Sequence, residues 1–544
     1  MACEFGDSAA RPYEDWWGTT VRRRRETPRY LVWEPRRMSL VGFLDDAARW
    51  ADREFLVEAG RRVTYRDHAA AVNRAAAMMA ARGVGPNARV LVLSANHIEA
   101  IVVWWAALWL DAVAVMGNAW WSSVEIKAAI DEVDPVLIVV DDKRMKRVST
   151  TAAIVMNLAE FEDDEATGRD TAEPPPGLLN HDEDRPATVI FTSGTTGHPR
   201  GVVLSHRSLI STIHNLLYAS RQLPQQLTDD TPAKSSLLGV PFFHMSGMQS
   251  MLVGLLTGAK LVLPSGGAFD ARATLDLIQN EKLTSFAAVP TVMGRLVNHP
   301  DTAEYDLSSV KSINMGGMPI PQSLLPRVRA LFPAAAERVS TMYGLSESGG
   351  PLTTCSSRDL RGRPWSSGSP LPVVELRIDG PGEDMVGEVV ARSPGNMNQY
   401  WGGMDATVLD EDGWLHTGDL GRLRDGHLQI VGRSKDVIVR AGENVASPHV
   451  EACLLSHPEV REAAVFALDH DDLGEEVAAV VVLVDGSSLN EYDLKAYAAQ
   501  NLASFEVPSA WWIRNTALPL NASGKASKTQ LKSEWPHAGT SAVP

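Results

Sequence analysis

"FTSGTTGHPRG", residues 191–201, sets four hydroxyl side chains and three glycines into eleven positions, with Arg200 just before the last glycine. A surface turn accounts for such letters, since Gly, Ser, Thr and Pro are common turn formers. A loop whose backbone N–H groups and hydroxyls wrap a phosphate chain accounts for them as well. It is not a Walker loop, which needs G-x-x-x-x-G-K-[ST]; here Gly194 and Gly197 are three apart and the basic residue is Arg200. What surrounds the stretch tips the reading. ATVIF (187–191) reads as a buried strand, GVVLS (201–205) as a second, and SHRSLISTIHNLLYAS (205–220) has helical spacing. Glycines placed straight after a buried strand let backbone amides approach an anion closely.

The chain has 544 residues, too many for one ordinary core, so two or more domains are expected. Hydrophobic residues make up 44% and charged ones 22%, a globular profile. A formal charge of −16 argues against nucleic acid as the main partner. The basic run Arg22–Arg25 reads as a solvated face or a flexible arm. Cys3, Cys355 and Cys453 are far apart and lack metal-ligand spacing, which excludes a disulfide framework or zinc site and fits a reducing compartment. The N-terminus has no apolar run of the secretory kind, so a cytoplasmic location is expected. IVVWWAALWLDAVAVMGNAWW (101–121) is near the ~20 residues of a membrane span. Asp111 falls mid-segment, where a charge is costly in lipid. A buried helix followed by a buried strand, AVAVM, explains it better, and no membrane span is expected.

Outward from the opening loop, helical patterns (69–84) alternate with apolar runs (89–94, 135–142), the texture of βα units and largely parallel sheet. EFEDDEATGRDTAEPPPGLLNHDEDRP (160–186) reads as a surface connector. From 370 to 431 short strands and turns suggest a small β-rich subdomain. Beyond GRSKD (432–436) a compact α+β unit begins, with strands in VREAAVFAL and EVAAVVVLV and a helix opened by Ser488 and Glu491 at capping-box spacing. The expected fold is α/β: a large N-terminal domain of βα sheets with that subdomain (1–432), and a small mobile α+β C-terminal domain (433–544).

T-S-G-T-T-G-x-P-[KR]-G resembles the phosphate-binding signature of the adenylate-forming superfamily, which includes acyl- and aryl-CoA ligases, peptide-synthetase adenylation domains and luciferases. Four further motifs follow in the family's order. PFFHMSG (241–247) is similar to the aromatic segment lining the acid pocket, where His244 borders the substrate carboxylate as wall and gate. TMYGLSE (341–347) offers Tyr343 for stacking on adenine, Ser346 for the α-phosphate and Glu347 for Mg²⁺; the family more often has Thr where Ser346 stands. Upstream, NMGGMP (314–319) resembles the adenine-flanking segment, with Gly316 and Gly317 and with Met318 in place of a small residue. WLHTGDLG (414–421) supplies Asp419 for the ribose hydroxyls. GRSKDVIVRAGENV (432–445) and LPLNASGKASK (518–528) supply Arg433 at the ribose, Lys435 as hinge, Gly442 beside the pantetheine path and Lys525 as the mobile lysine.

The resemblance covers nearly the whole chain. RRVTYRD (61–67) looks like its strand–helix entry, and NAWWSSVEI (118–126) resembles fatty-acid-CoA ligase-like members. It implies an AMP-forming acid–thiol ligase. ATP binds through Thr192, Ser193, Gly194, Thr195, Thr196, Gly197 and Arg200; Lys525, Glu347, His244 and Ser346 serve catalysis. Mg²⁺ and CoA are implied as cofactor and co-substrate. The acid, fatty or aryl, is not fixed by these residues. A carrier-protein acceptor, nitrite activation by a diazotase, and a non-catalytic nucleotide binder remain alternatives, and dimers are common enough in such families to leave a homodimer open.

Overall fold

The computed structural model describes residues 16–24, 28–149, 151–162, 182–192, 200–265, 269–318, 320–321, 323–434, 437–440, 443–470, 473–521 and 524–536. Among these, two large sheets stack with helices between them and on both outer faces. The first is seven-stranded. Its centre is parallel: Arg89–Leu93 lies between Val113–Gly117 and Leu137–Val140, and Val113–Gly117 is followed by Pro186–Thr192. Arg200–Ser205 then pairs antiparallel with Pro186–Thr192, so the two ends of the opening stretch lie side by side near this sheet's edge. Gln399–Tyr400 closes that edge.

The second sheet is nine-stranded, with a parallel centre that includes Ser285–Ala288, Ser312–Gly316 and Val339–Leu345. One apolar core joins the facing sides of both sheets through the helices Tyr65–Ala80, Ile98–Trp109, His206–Ser220 and Met245–Thr257. Ile98–Trp109 is buried at every position. Its side chains are apolar all round except Glu99, which is what a helix sandwiched between two sheets requires. Each such Leu, Ile or Val contributes about 2 kcal/mol by leaving water. Asp111, just past this helix, is buried and paired to Arg185 at 2.6 Å. The pairing explains how a carboxylate survives there. Among the described residues no helix is long and apolar enough to cross a membrane.

A four-stranded antiparallel sheet, Glu375–Asp379, Gly387–Arg392, Trp414–Arg424 and His427–Arg433, forms the β-rich subdomain. The smaller C-terminal domain is built on a five-stranded sheet with Gly474–Leu483 at its centre and Val460–His470 along one edge, apolar on both faces.

Two expectations change. The helix Glu491–Asn501 is capped by Asn490, whose side chain accepts from the Asp493 amide while Asp493 returns to Asn490. Ser488 and Glu491 have the right spacing but stand two residues too early. Of the two readings of the basic run, the solvated face holds, since Arg22 and Arg23 are exposed, and the flexible arm does not. Arg23 forms a two-pronged pair with Glu375, Arg24 meets Asp184 and Arg22 meets Glu34, while Arg25 lies outside the described residues. These arginines end a hairpin, Trp17–Arg23 with Leu31–Arg36, whose Trp17 and Trp33 rings pack on His214.

Candidate active site

The opening stretch is described at its two ends. Thr192 and Arg200 face each other across the hairpin, and the Thr192 hydroxyl donates to the Arg200 carbonyl at 3.4 Å. Ser193, Gly194, Thr195, Thr196 and Gly197 lie outside the described residues. The Arg200 guanidinium is held at 2.9 Å from Asp405 and 3.6 Å above the Tyr400 ring. A planar cation suits both contacts at once, one in its plane and one on its face. The Thr407 hydroxyl, and then Arg200, hold the Asp405 carboxyl below its ordinary range.

Tyr400 links Arg200 to Glu347. Its hydroxyl donates to Glu347 Oε1 at 3.0 Å. Burial, then the Glu347 charge, pushes the phenol above its ordinary range, so it remains a donor. Glu347 follows the strand Val339–Leu345, in a turn that glycine permits. Gly350 sits at φ +125°, and a Cβ there would overlap Gln249 Nε2 at 1.6 Å. Gln249 in turn donates to the Gly349 carbonyl, and Ser346 accepts from the Gly349 amide at 2.9 Å. The turn is therefore tied to the helix that His244 begins.

At the other end of the strand–turn unit, Tyr343 donates to Asp419 Oδ2 at 2.7 Å. Asp419 Oδ1 accepts from Arg433 Nε at 2.6 Å, the two residues being paired across adjacent strands. Burial first, and the Asp419 carboxylate second, raise the Tyr343 phenol well above its ordinary range.

Lys525 closes the site from the C-terminal domain. The strand Ser312–Gly316 ends at Gly317, φ +81°, where a Cβ would stand 3.5 Å from Lys525 Cε and 3.9 Å from Nζ. His244 is the residue before the helix Met245–Thr257. Its Nε2 is buried with no hydrogen-bond partner among the described residues. Burial, and then the Lys525 charge, lower its pKa to about 4, so the ring is neutral. Met318 is contacted by the Thr291 hydroxyl at 3.1 Å from its sulfur.

Gly316, Gly317, Tyr343, Ser346, Glu347, Asp419, Arg433, His244 and Lys525 are thus brought to one cleft, with Arg200 and Thr192 at its edge; Lys435 and Gly442 lie outside the described residues. Four residues that the motifs did not single out help to build it. Tyr400 and Asp405 fix Arg200, and Thr291 meets Met318. Asn96 clamps the segment leading to His244, donating to the Leu238 and Val240 carbonyls and accepting from the Phe242 amide. The only sequence signal for Asn96 is a polar break, SANH, after an apolar strand.

The site thus combines a carboxylate braced by a phenol, an aspartate held between Tyr343 and Arg433, and a lysine beside a glycine turn. The chain belongs to the AMP-binding enzyme family, whose signature matches residues 43–401, with the AMP-binding enzyme C-terminal domain at 449–525. It is similar to a feruloyl-CoA synthase from an Amycolatopsis species, 29% identical over 87% of this chain and 94% of that one. It is also similar to the fatty acid–[acyl-carrier-protein] ligase ScoC of Streptomyces coeruleorubidus, 31% identical over 88% and 92%. Among solved structures it resembles the o-succinylbenzoate CoA synthetase of Bacillus subtilis in complex with its acyl-adenylate, with TM-score 0.75 and 27% identity over 90% and 98% of the chains.

Proposed function

We propose that this protein activates a carboxylic acid with ATP as an acyl-adenylate and passes the acyl group to the thiol of CoA. The observation that carries it is the meeting of Lys525, Gly317 and His244 across the two domains, beside the Asp419–Tyr343 pair. In the first step a carboxylate oxygen forms a bond to the α-phosphorus, the bond to the β-phosphate oxygen breaks, and pyrophosphate leaves. The Lys525 ammonium offsets the negative charge gathered where carboxylate meets phosphate. Neutral His244 walls the acid side and takes no proton. Tyr343 offers its face to adenine, and Asp419 accepts from the ribose hydroxyls. Arg200 and the loop before it hold the outer phosphates, and Ser346 the α-phosphate.

A single carboxylate braced by a phenol fits Mg²⁺, which commonly takes one or two carboxylates and completes its shell with phosphate oxygens and water; Glu347 would hold it. The ion supplies charge neutralisation across the phosphates.

In the second step the C-terminal domain, 433–544, turns about Lys435, withdraws Lys525 and brings Gly442 to the thiol path. The thiol gives up its proton to water, its sulfur bonds to the acyl carbon, the acyl–phosphate bond breaks, and AMP leaves. Rotation of one domain lets a single cleft serve both reactions. The widely separated cysteines support a cytoplasmic location.

The test is pyrophosphate release with a panel of fatty and aryl acids, with and without CoA. We expect release with a subset of acids and a thioester only when CoA is present. Release with no thioester in CoA, but transfer to a phosphopantetheinyl carrier protein, would move the acceptor to the ScoC-like case. No release with any acid would overturn the reading.

A further inference from the structure

Lys525 reaches the cleft on a segment that one helix of the large domain grips at two points. The helix is Pro290–Val297. At its start, Val289 and Val292 press on the loop: a Cβ on Gly524 would stand 2.9 Å and 3.3 Å from their methyl groups. One turn further along, Arg295 reaches Glu462 of the C-terminal domain through Nε at 3.0 Å and Nη2 at 3.3 Å. The same Nη2 donates to the Leu518 carbonyl at 2.8 Å. Glu462 answers by accepting from the Leu518 amide at 2.7 Å. Leu518 therefore has both backbone groups engaged by one interdomain ion pair, and it begins the segment that ends at Lys525. Asn521 and Lys525 are tied together: the Asn521 amide donates to the Lys525 carbonyl, the Lys525 amide donates to Asn521 Oδ1, and Leu520 bridges Ala526.

The Glu462 side chain is only 9% exposed and Arg295 26%, so both charges are largely withdrawn from water. Such a pair gains little over an apolar contact in stability, and its best-attested use is to fix one arrangement against others. Glu462 also sits beside a break in the strand register, which falls between Val460, paired with Leu483, and Glu462, paired with Val482. A contact that spans the two domains and grips the lysine segment is built for one domain orientation.

We propose that Arg295 and Glu462 are positioning residues for Lys525: a charged latch that is closed when the lysine is in the cleft and open when the C-terminal domain has turned. The proposal rests on the two-step reading above. It requires an asymmetric consequence. Loosening the latch lets Lys525 wander by an ångström or so, an error worth up to about 10²-fold in rate, while the thiol step no longer has to break the pair.

The experiment uses the full chain with Arg295→Met, which keeps the apolar stem, and separately Glu462→Gln, which still accepts from the Leu518 amide. Each half-reaction is measured: acid-dependent pyrophosphate exchange, and thioester formation from supplied acyl-adenylate. We expect exchange to fall about ten- to a hundredfold, with thioester formation from acyl-adenylate within twofold of the parent or faster. Arg295→Lys, keeping the charge but not the fork, should recover part of the exchange. Equal loss in both half-reactions, or unchanged exchange, overturns the proposal.

A second arm needs no turnover. Ser323 donates to the Leu455 carbonyl across the same interface. With Cys453 replaced by Ser, the Ser323→Cys, Ser456→Cys chain is treated with a short bismaleimide in the presence of ATP. Adding Arg295→Met or Glu462→Gln should lower the cross-linked fraction at least twofold. An unchanged fraction overturns the latch, whether or not any acid in the panel is a substrate.

Discussion

The two ends of the cleft are built differently. At the Asp419 end both partners lie on strands that precede the proposed hinge at Lys435, Tyr343 on Val339–Leu345 and Arg433 at the end of His427–Arg433. Both carboxylate oxygens are engaged, one by Tyr343 and one by Arg433. At the Lys525 end the decisive charge arrives on another domain, and His244 Nε2 has no hydrogen-bond partner among the described residues. The nucleoside stays put through both proposed steps, and its end is braced by fixed hydrogen bonds. The carboxylate changes its bonding partner, and its end is left to a charge that can leave. A single site gains two functions by fixing one half and lending the other.

The sharpest way to break that contrast is Lys525→Ala. Pyrophosphate exchange should fall by about 10²–10³-fold, the cost of removing one preorganised electrostatic group. Thioester formation from supplied acyl-adenylate should stay within about twofold. Asp419→Asn attacks the fixed end. It removes the charge from two hydrogen bonds, each charge-assisted bond being worth about 1.5–3 kcal/mol. We expect the KM for ATP to rise about ten- to a hundredfold, with both half-reactions weakened, which Lys525→Ala should not do.

Tyr400→Phe is milder. It removes one hydrogen bond to Glu347, about 0.5–1.5 kcal/mol, so adenylation should slow about two- to tenfold. The loss should shrink as Mg²⁺ is raised in the assay. The smallest effect concerns His244. With its pKa lowered to about 4 by burial and Lys525, it should add no titration to pyrophosphate exchange between pH 6 and 7.5.

Stability has the opposite sensitivity. His68 and His206 titrate near 3, His214 and His244 near 4, burial being the first cause in each. Unfolded imidazoles titrate near 6.5. Between about pH 4 and 6.5 these four imidazoles bind more protons in the unfolded chain, so they make stability rise with pH across that window; His97, held above its ordinary range by its hydrogen bond to Glu58, works the other way above it. Denaturant midpoints at pH 5 and pH 7 read this directly, and His68→Phe should lessen the difference.

Much of this was legible in the sequence because it is local. The strand 187–191, the hairpin it enters, the helix 98–109 and the motif residues declare themselves within a few positions. Partners separated by hundreds of residues do not. Nothing near Arg200 announces Asp405, and nothing near Arg295 announces Glu462, because each pair exists only once the sheets and domains are in place. For the basic run Arg22–Arg24 the solvated face was legible, but its partners Glu375 and Asp184 were not, for the same reason. Capping failed more narrowly. Ser488–Glu491 and Asn490–Asp493 share one spacing, and the backbone's turn into the helix chose the second.

The helix Ile98–Trp109 has a consequence for how the molecule can be handled. It has no face that tolerates water, and the core around it is drawn from both sheets and reaches as far along the chain as Leu415. During synthesis it leaves the ribosome well before that core exists. Until then it is a sticky segment at risk of aggregation. Fragments that stop short of the helix Met245–Thr257 should be insoluble, and attempts to dissect the chain should cut between the domains, never inside the first.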